Sequence, residues 1–277
     1  MAASNHSNHL GRFVDVGEEP RKLLQPIEGY QSLRLVSLEE AIEPIVEFCP
    51  DVRRRAYIAK GNCDSLKDRL TEDESASVYL YTSEWEPRDQ CLYVVLNSVL
   101  RSQDRRKSIP PWFLFLKLLL TALFKLRSCS MTVWRGIPLD LRKQYEIGKT
   151  YTWWGFSSCT ESISVLESDQ FLGQEGKRTM FSIDCFNGKK IRQHSSIESE
   201  DEILLLPGSQ FVVKSYFQPS KKDPDLFIIH LKQVEPPFVL LEPPSKGISS
   251  SKIPEGKGGI FLLNFLKQVD NQHNFFQ

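Results

Sequence analysis

One feature constrains this chain more than any other: near residue 131 the pattern of apolar residues changes from helical spacing to strand spacing. Before that point, Ser37-Leu-Glu-Glu40 and Thr71-Glu-Asp-Glu74 have the form of capping boxes that open helices. Pro44 falls inside the first helical pattern and should kink or shorten it. Asp51 opens a further helical stretch that Gly61 closes. From Arg88 to Leu100 the apolar residues fall at 92, 95, 96, 99 and 100, one face of a helix. A very apolar run follows Pro110 and Pro111. After residue 131 come short runs of β-formers punctuated by Gly, Pro, Asn and Asp: Met131–Trp134, Thr150–Phe156, Thr179–Cys185, Lys189–Gln193, Glu202–Leu206, Gln210–Phe217 and Leu226–Val234. Helices gathered before strands predict an α+β fold. The expected organisation is an N-terminal extension over 1–30, a helical lobe over 31–128, a strand-rich core over 129–236 that forms one domain with the lobe, and a tail over 237–277 rich in Pro, Ser, Gly and Lys.

Composition narrows the function classes. The 277 residues suffice to bury a core without staples. Lysine plus arginine equals aspartate plus glutamate at 35 each, so the chain lacks the basic field of a protein that coats nucleic acid or an anionic membrane. A local pocket for a phosphorylated ligand stays compatible with that balance. The six cysteines, at 49, 63, 91, 129, 159 and 185, contain no C-x-x-C. The run Pro111–Leu126 carries Lys117 and Lys125 and is shorter than the ~20 apolar residues of a span, so it reads as a buried core helix. The first residues have no apolar signal region. The expectation is a soluble, cytoplasmic protein with reduced thiols and no metal.

Several motifs fail. Gly148-Lys149-Thr150 resembles the end of a P-loop, but position 143 is Lys where glycine is required. Gly155-Phe-Ser157-Ser-Cys159 lacks the last glycine of a nucleophile elbow. Cys159 and His194 could make a thiol–imidazole pair, although a lone cysteine and a lone histidine at that separation are more often coincidence.

Three features of the second half carry chemistry. Trp134-Arg135-Gly136 ends the first strand with a guanidinium fork suited to phosphate and a glycine that allows close backbone approach. Taken alone it is also what a surface arginine before a turn looks like. Trp153 to Thr160 is an aromatic strand that ends in Ser157, Ser158, Cys159 and Thr160, hydroxyls able to orient a carboxylate or merely to cap a helix. Glu198, Glu200 and Glu202 alternate ahead of Ile203-Leu-Leu-Leu206. In extended chain, residues two apart share a face, so Glu200 and Glu202 are expected to point the same way. A solvated acidic loop suits Glu198, whereas Glu202 leads into a buried strand and must be used there to offset its desolvation.

These residues, in this order, resemble the R-S-E class of arginine-specific mono-ADP-ribosyltransferases, the cholera-toxin-like eukaryotic group, over roughly residues 130 to 235. The resemblance implies a mainly antiparallel two-sheet core behind a helical lobe. It implies transfer of ADP-ribose from NAD or NADP to an arginine guanidinium of a protein or small acceptor. Residue by residue, it makes Arg135 the arginine that holds the phosphate side of NAD, and Gly136 the backbone contact to the nicotinamide amide. Ser158 would orient the catalytic Glu202, Glu200 would be the acceptor-side acid, and Phe171 the aromatic that stacks on nicotinamide. Cys159 and Thr160 depart from the usual Thr and Ser of the triplet, and Trp134 from the usual Tyr. An NAD glycohydrolase on the same scaffold, a non-catalytic NAD-binding module and an unrelated α+β protein stay open as alternatives.

Overall fold

In the computed structural model, the residues described are 19–20, 22–63, 67–163, 172, 175–220 and 223–244, all within the compact unit Met1–Ser245. The first half is helical: α1 (Leu38–Ile42), α2 (Val52–Gly61), α3 (Glu72–Thr82), α4 (Leu92–Arg101), α5 (Arg105–Ser108) and α6 (Phe113–Lys125). Thr71 forms the capping box in full: its hydroxyl accepts from the Glu74 N–H at 3.2 Å, and the Glu74 carboxylate accepts from the Thr71 N–H at 2.9 Å. Ser37 makes one half, accepting from the Glu40 N–H at 3.3 Å, while the Glu40 carboxylate turns to Arg34. Pro44 ends α1 as expected, in a 3₁₀ turn over Glu43–Ile45. Arg88–Gln90 is also a 3₁₀ turn, and the helix read from Arg88 starts at Leu92.

The apolar run after Pro111 becomes α6, the centre of the helical lobe. Its two lysines find specific partners. Lys117 is buried and donates to the carbonyls of Gln31, at 2.9 Å, and Pro244. Lys125 holds the buried Glu74 carboxylate at 2.6 and 2.7 Å, tying the end of α6 to the start of α3. Among the described residues no helix is long and apolar enough to cross a membrane. Within the stretch read as a tail, Leu240–Pro244 packs on the lobe: Ile27 and Leu241 form a parallel bridge, and Leu240 is buried.

Seven strands follow: β1 (Ser128–Ile137), β2 (Thr150–Trp153), β3 (Ser157–Thr160), β4 (Arg178–Lys190), β5 (Glu202–Leu205), β6 (Ser209–Phe217) and β7 (Leu226–Val234). Their order is β1-β3-β5-β4-β7-β6-β2, with β1 also paired to β4. All pairs are antiparallel except β4–β7. Five strands, β2-β6-β7-β4-β1, lie side by side. The β3–β5 pair joins them at the β1–β4 end, through Trp134 opposite Thr160 and through Lys189 and Lys190 opposite Leu204 and Ile203. Val133, Cys159, Phe181, Ile203, Leu205 and Phe211 fill the core between the two layers. The α+β class is the one expected from the sequence pattern, and the mainly antiparallel core is the one implied by the resemblance, its strands joined in a single seven-stranded sheet.

Strand β5 is buried on both faces. Ile203 and Leu205 enter the core between the layers, while Leu204 joins the helical lobe's core. Burial on both sides is why the segment reads as an unbroken apolar run rather than an alternation. Gly188 of β4 is pressed against it, since an added Cβ would lie 2.7 Å from Ile203 Cγ2 and 3.1–3.2 Å from the sulfurs of Cys185 and Cys129. Gly188→Ala is therefore expected to overpack this junction and lower stability by about 1–3 kcal/mol. The check is urea or thermal unfolding, and an unchanged midpoint would show that β5 can shift freely.

Two expected strands need correction. Thr150–Phe156 is not one strand: β2 stops at Trp153 and β3 starts at Ser157. The cause is Asn97 of α4. Its Oδ1 accepts from the Phe156 N–H at 2.9 Å and its Nδ2 donates to the Phe156 carbonyl at 3.3 Å, so a side chain replaces a strand neighbour there. Gly155 permits this close approach, because an added Cβ would meet the Arg101 guanidinium at 2.9 Å. The second correction concerns Lys189–Gln193. Lys189 and Lys190 are the end of the single long strand β4, and Arg192–His194 forms a 3₁₀ turn.

Candidate active site

The three predicted motifs meet where β1, β3 and β5 lie side by side. Arg135 of β1 is 4% exposed, and its Nη1 donates to the Ser158 carbonyl of β3 at 2.8 Å. Along β1, Val133 and Ile137 enter the core between the layers. Arg135 has the same alternation and sends its guanidinium to the β3 backbone. Gly136 is buried beside it, opposite Met180 of β4.

Strand β3 pairs with β5 so that Ser158 faces Leu204 and Thr160 faces Glu202. Directly opposed residues share a face, and alternate ones do too, so Ser158, Thr160 and Glu202 lie on one side of the pair. Glu202 is 0% exposed, and the Ser195 hydroxyl donates to its Oε2 at 3.4 Å. Between the two charged groups lies Cys159. Its thiol is pushed up to about 12 by burial; the Arg135 charge opposes that shift and the Glu202 charge adds to it.

A neutral, core-facing Cys159 is a poor nucleophile. His194 is no partner for it. Its Nδ1 pairs with the Ser75 hydroxyl of α3 at 2.8 Å and its Nε2 with Asp68 at 3.1 Å. The thiol–imidazole pair considered from the sequence does not form. Among the described residues no group of three or more His, Cys, Asp or Glu side chains is arranged to hold a metal ion.

Glu200 stands differently from its expectation. Glu198–Glu200 is a 3₁₀ turn, Asp201 takes a left-handed conformation at φ 47°, and the strand begins only at Glu202. The i, i+2 rule of extended chain therefore does not relate Glu200 to Glu202. A short polar side chain such as Asp tolerates that left-handed residue, and Arg192 holds its carboxylate at 2.6 Å. Glu200 is nonetheless 8% exposed, two positions from Glu202, while Glu198 is exposed. Phe171, the expected stacking aromatic, lies outside the described residues.

Two residues with long-range contacts near these strands, Asn97 and Ser195, were not singled out from the sequence. Asn97 is the one amide in the mainly apolar α4 and could have been noticed for that. Ser195 had no signal of its own.

Comparison with known proteins identifies the family. A family model described as ART: NAD:arginine ADP-ribosyltransferase matches residues 50–234. The chain belongs to that family, and it is an ADP-ribosyltransferase. Among solved structures, the ADP-ribosyltransferase HopU1 of Pseudomonas syringae pv. Tomato DC3000 is similar in fold. It has a TM-score of 0.53 at 18% identity, covering 73% of this chain and 100% of that one. The eucaryotic mono-ADP-ribosyltransferase ART2.2 aligns with a TM-score of 0.48 at 16% identity, covering 76% and 87%. ADP-ribosyltransferase Vis in complex with agmatine aligns with a TM-score of 0.44 at 21% identity, covering 68% and 85%. No curated protein matches the chain.

Proposed function

We propose that this chain transfers ADP-ribose from NAD to the guanidinium of an arginine, releasing nicotinamide. The observation that supports the reading is that Arg135, Ser158 and Glu202 stand on three adjacent hydrogen-bonded strands, with the carboxylate fully buried. A buried carboxylate costs stability unless its charge is used. The chemistry uses it. The bond between nicotinamide and ribose breaks, its electron pair leaves with the neutral pyridine, and positive charge develops on the ribose as in glycoside hydrolysis. Glu202, fixed before the reaction, stabilises that charge. Ser158, on the same face, orients it. Arg135, with its planar fork, anchors the diphosphate, and the backbone at Gly136 meets the nicotinamide amide.

The acceptor guanidinium is protonated in water and a poor nucleophile. It needs an acid nearby to attract it and to take the proton that its nitrogen loses as the new C–N bond forms. Glu200, in the turn leading into β5, fills that role.

Labelled NAD with agmatine tests this. The native chain is expected to yield agmatine adduct as well as free ADP-ribose. Glu200→Gln is expected to lower adduct formation by on the order of 100-fold while sparing NAD hydrolysis, the size expected of one acid–base group. Unchanged partition between adduct and ADP-ribose would remove Glu200 from the acceptor side. Free ADP-ribose as the sole product of the native chain would make it an NAD glycohydrolase.

A further inference from the structure

We infer that Ser195 is a positioning residue for Glu202, and that the segment 194–196 straps the catalytic carboxylate to the helical lobe. The inference rests on the transferase reading above and assigns a further residue to its site.

The geometry begins with the two neighbours of Ser195. His194 is buried, with one ring nitrogen on the Ser75 hydroxyl at 2.8 Å and the other on Asp68 at 3.1 Å. On the other side, the Ser196 N–H donates to the Thr82 hydroxyl at 2.8 Å, and the Ser196 hydroxyl donates to the Thr82 carbonyl at 2.7 Å. Ser75 and Thr82 both belong to α3, so the segment is pinned to that helix on both sides of Ser195. Ser195 itself is 5% exposed. Its hydroxyl oxygen accepts from the Ile197 N–H at 3.3 Å, which directs the hydroxyl proton away from that side. The proton goes to Glu202 Oε2 at 3.4 Å. A contact of that length tightens when substrate draws the carboxylate into its working position, as catalytic hydrogen bonds do on forming the reactive complex. The side-chain partner of the Ser195 hydroxyl is the acid, so Ser195 acts through Glu202.

A residue that aims the acid should affect the chemical step more than donor binding. The test compares the native full chain with Ser195→Ala and Ser195→Thr, measuring nicotinamide release from NAD with saturating agmatine together with the thermal midpoint. Ser195→Ala is expected to lower kcat about tenfold, the worth of one hydrogen bond to a charged group, while KM for NAD and the midpoint hold. Ser195→Thr, which keeps the hydroxyl, is expected to recover most of that loss. Native kcat in Ser195→Ala overturns the assignment. So does a loss that comes with a lowered midpoint, or one that Ser195→Thr leaves unrepaired. A native chain that releases no nicotinamide overturns the transferase reading, and Ser195's role with it; that result is read before any variant is made.

Discussion

Glu202→Gln is expected to lower the rate of nicotinamide release from NAD by on the order of 1,000-fold, the upper range for removing one preorganised charge-stabilising group. At about 1.36 kcal/mol per factor of ten, the loss corresponds to roughly 4 kcal/mol of transition-state stabilisation. The change is isosteric. Glutamine still offers an oxygen to the Ser195 hydroxyl, so packing at the start of β5 persists. What disappears is a carboxylate that is 0% exposed and costly to keep charged. The variant should therefore be at least as stable as the native chain. Loss of activity with a retained or raised thermal midpoint separates this role from a structural one. A variant that keeps native turnover would remove Glu202 from the chemistry.

Arg135→Lys is expected to lower kcat/KM for NAD by on the order of 100-fold, with most of the effect in KM. Lysine keeps the charge and loses the fork. Arg135 donates Nη1 to the Ser158 carbonyl, and a diphosphate is held best by several donors in one plane. A compact ammonium at the end of a shorter reach cannot serve the β3 backbone and two phosphate oxygens together. The contrast between the two variants is informative: Glu202→Gln should change kcat at nearly constant KM, and Arg135→Lys the reverse. Steady-state kinetics in NAD at saturating agmatine reads both. A kcat-only effect in Arg135→Lys would mean that the arginine does not hold the donor.

What could be read from the residues depended on how local the cause was. The division into helices and then strands was legible because each element's apolar period is written within ten or so residues. Thr71 and Glu74 formed their capping box because both partners lie in one turn. The burial of Glu202 followed from the apolar run directly behind it. The failures share a different origin. Strand β2 ends at Trp153 because Asn97, far away in sequence, takes over the backbone of Phe156. Glu200 leaves the strand because Asp201 turns left-handed, and a single aspartate carries little sign of that. Ser195 reaches Glu202 only because His194 and Ser196 are held by a helix more than a hundred residues earlier. Long-range side-chain contacts of this kind leave no periodicity to find.

The family match extends from α2 through β7, beyond the strand-borne motifs and into the helical lobe. The packing explains why the lobe belongs with them. α4 shapes the turn that separates β2 from β3, and α3 holds the segment that approaches Glu202. The lobe thus holds the backbone beside β3 and ahead of β5 through Asn97 and Thr82.

A crystal structure of Glu202→Gln soaked with NAD tests the central claim most directly. The account predicts the nicotinamide ribose against residue 202, the diphosphate on the Arg135 guanidinium and Ser158 between them. Dinucleotide bound elsewhere, with neither side chain touching it, would contradict the account.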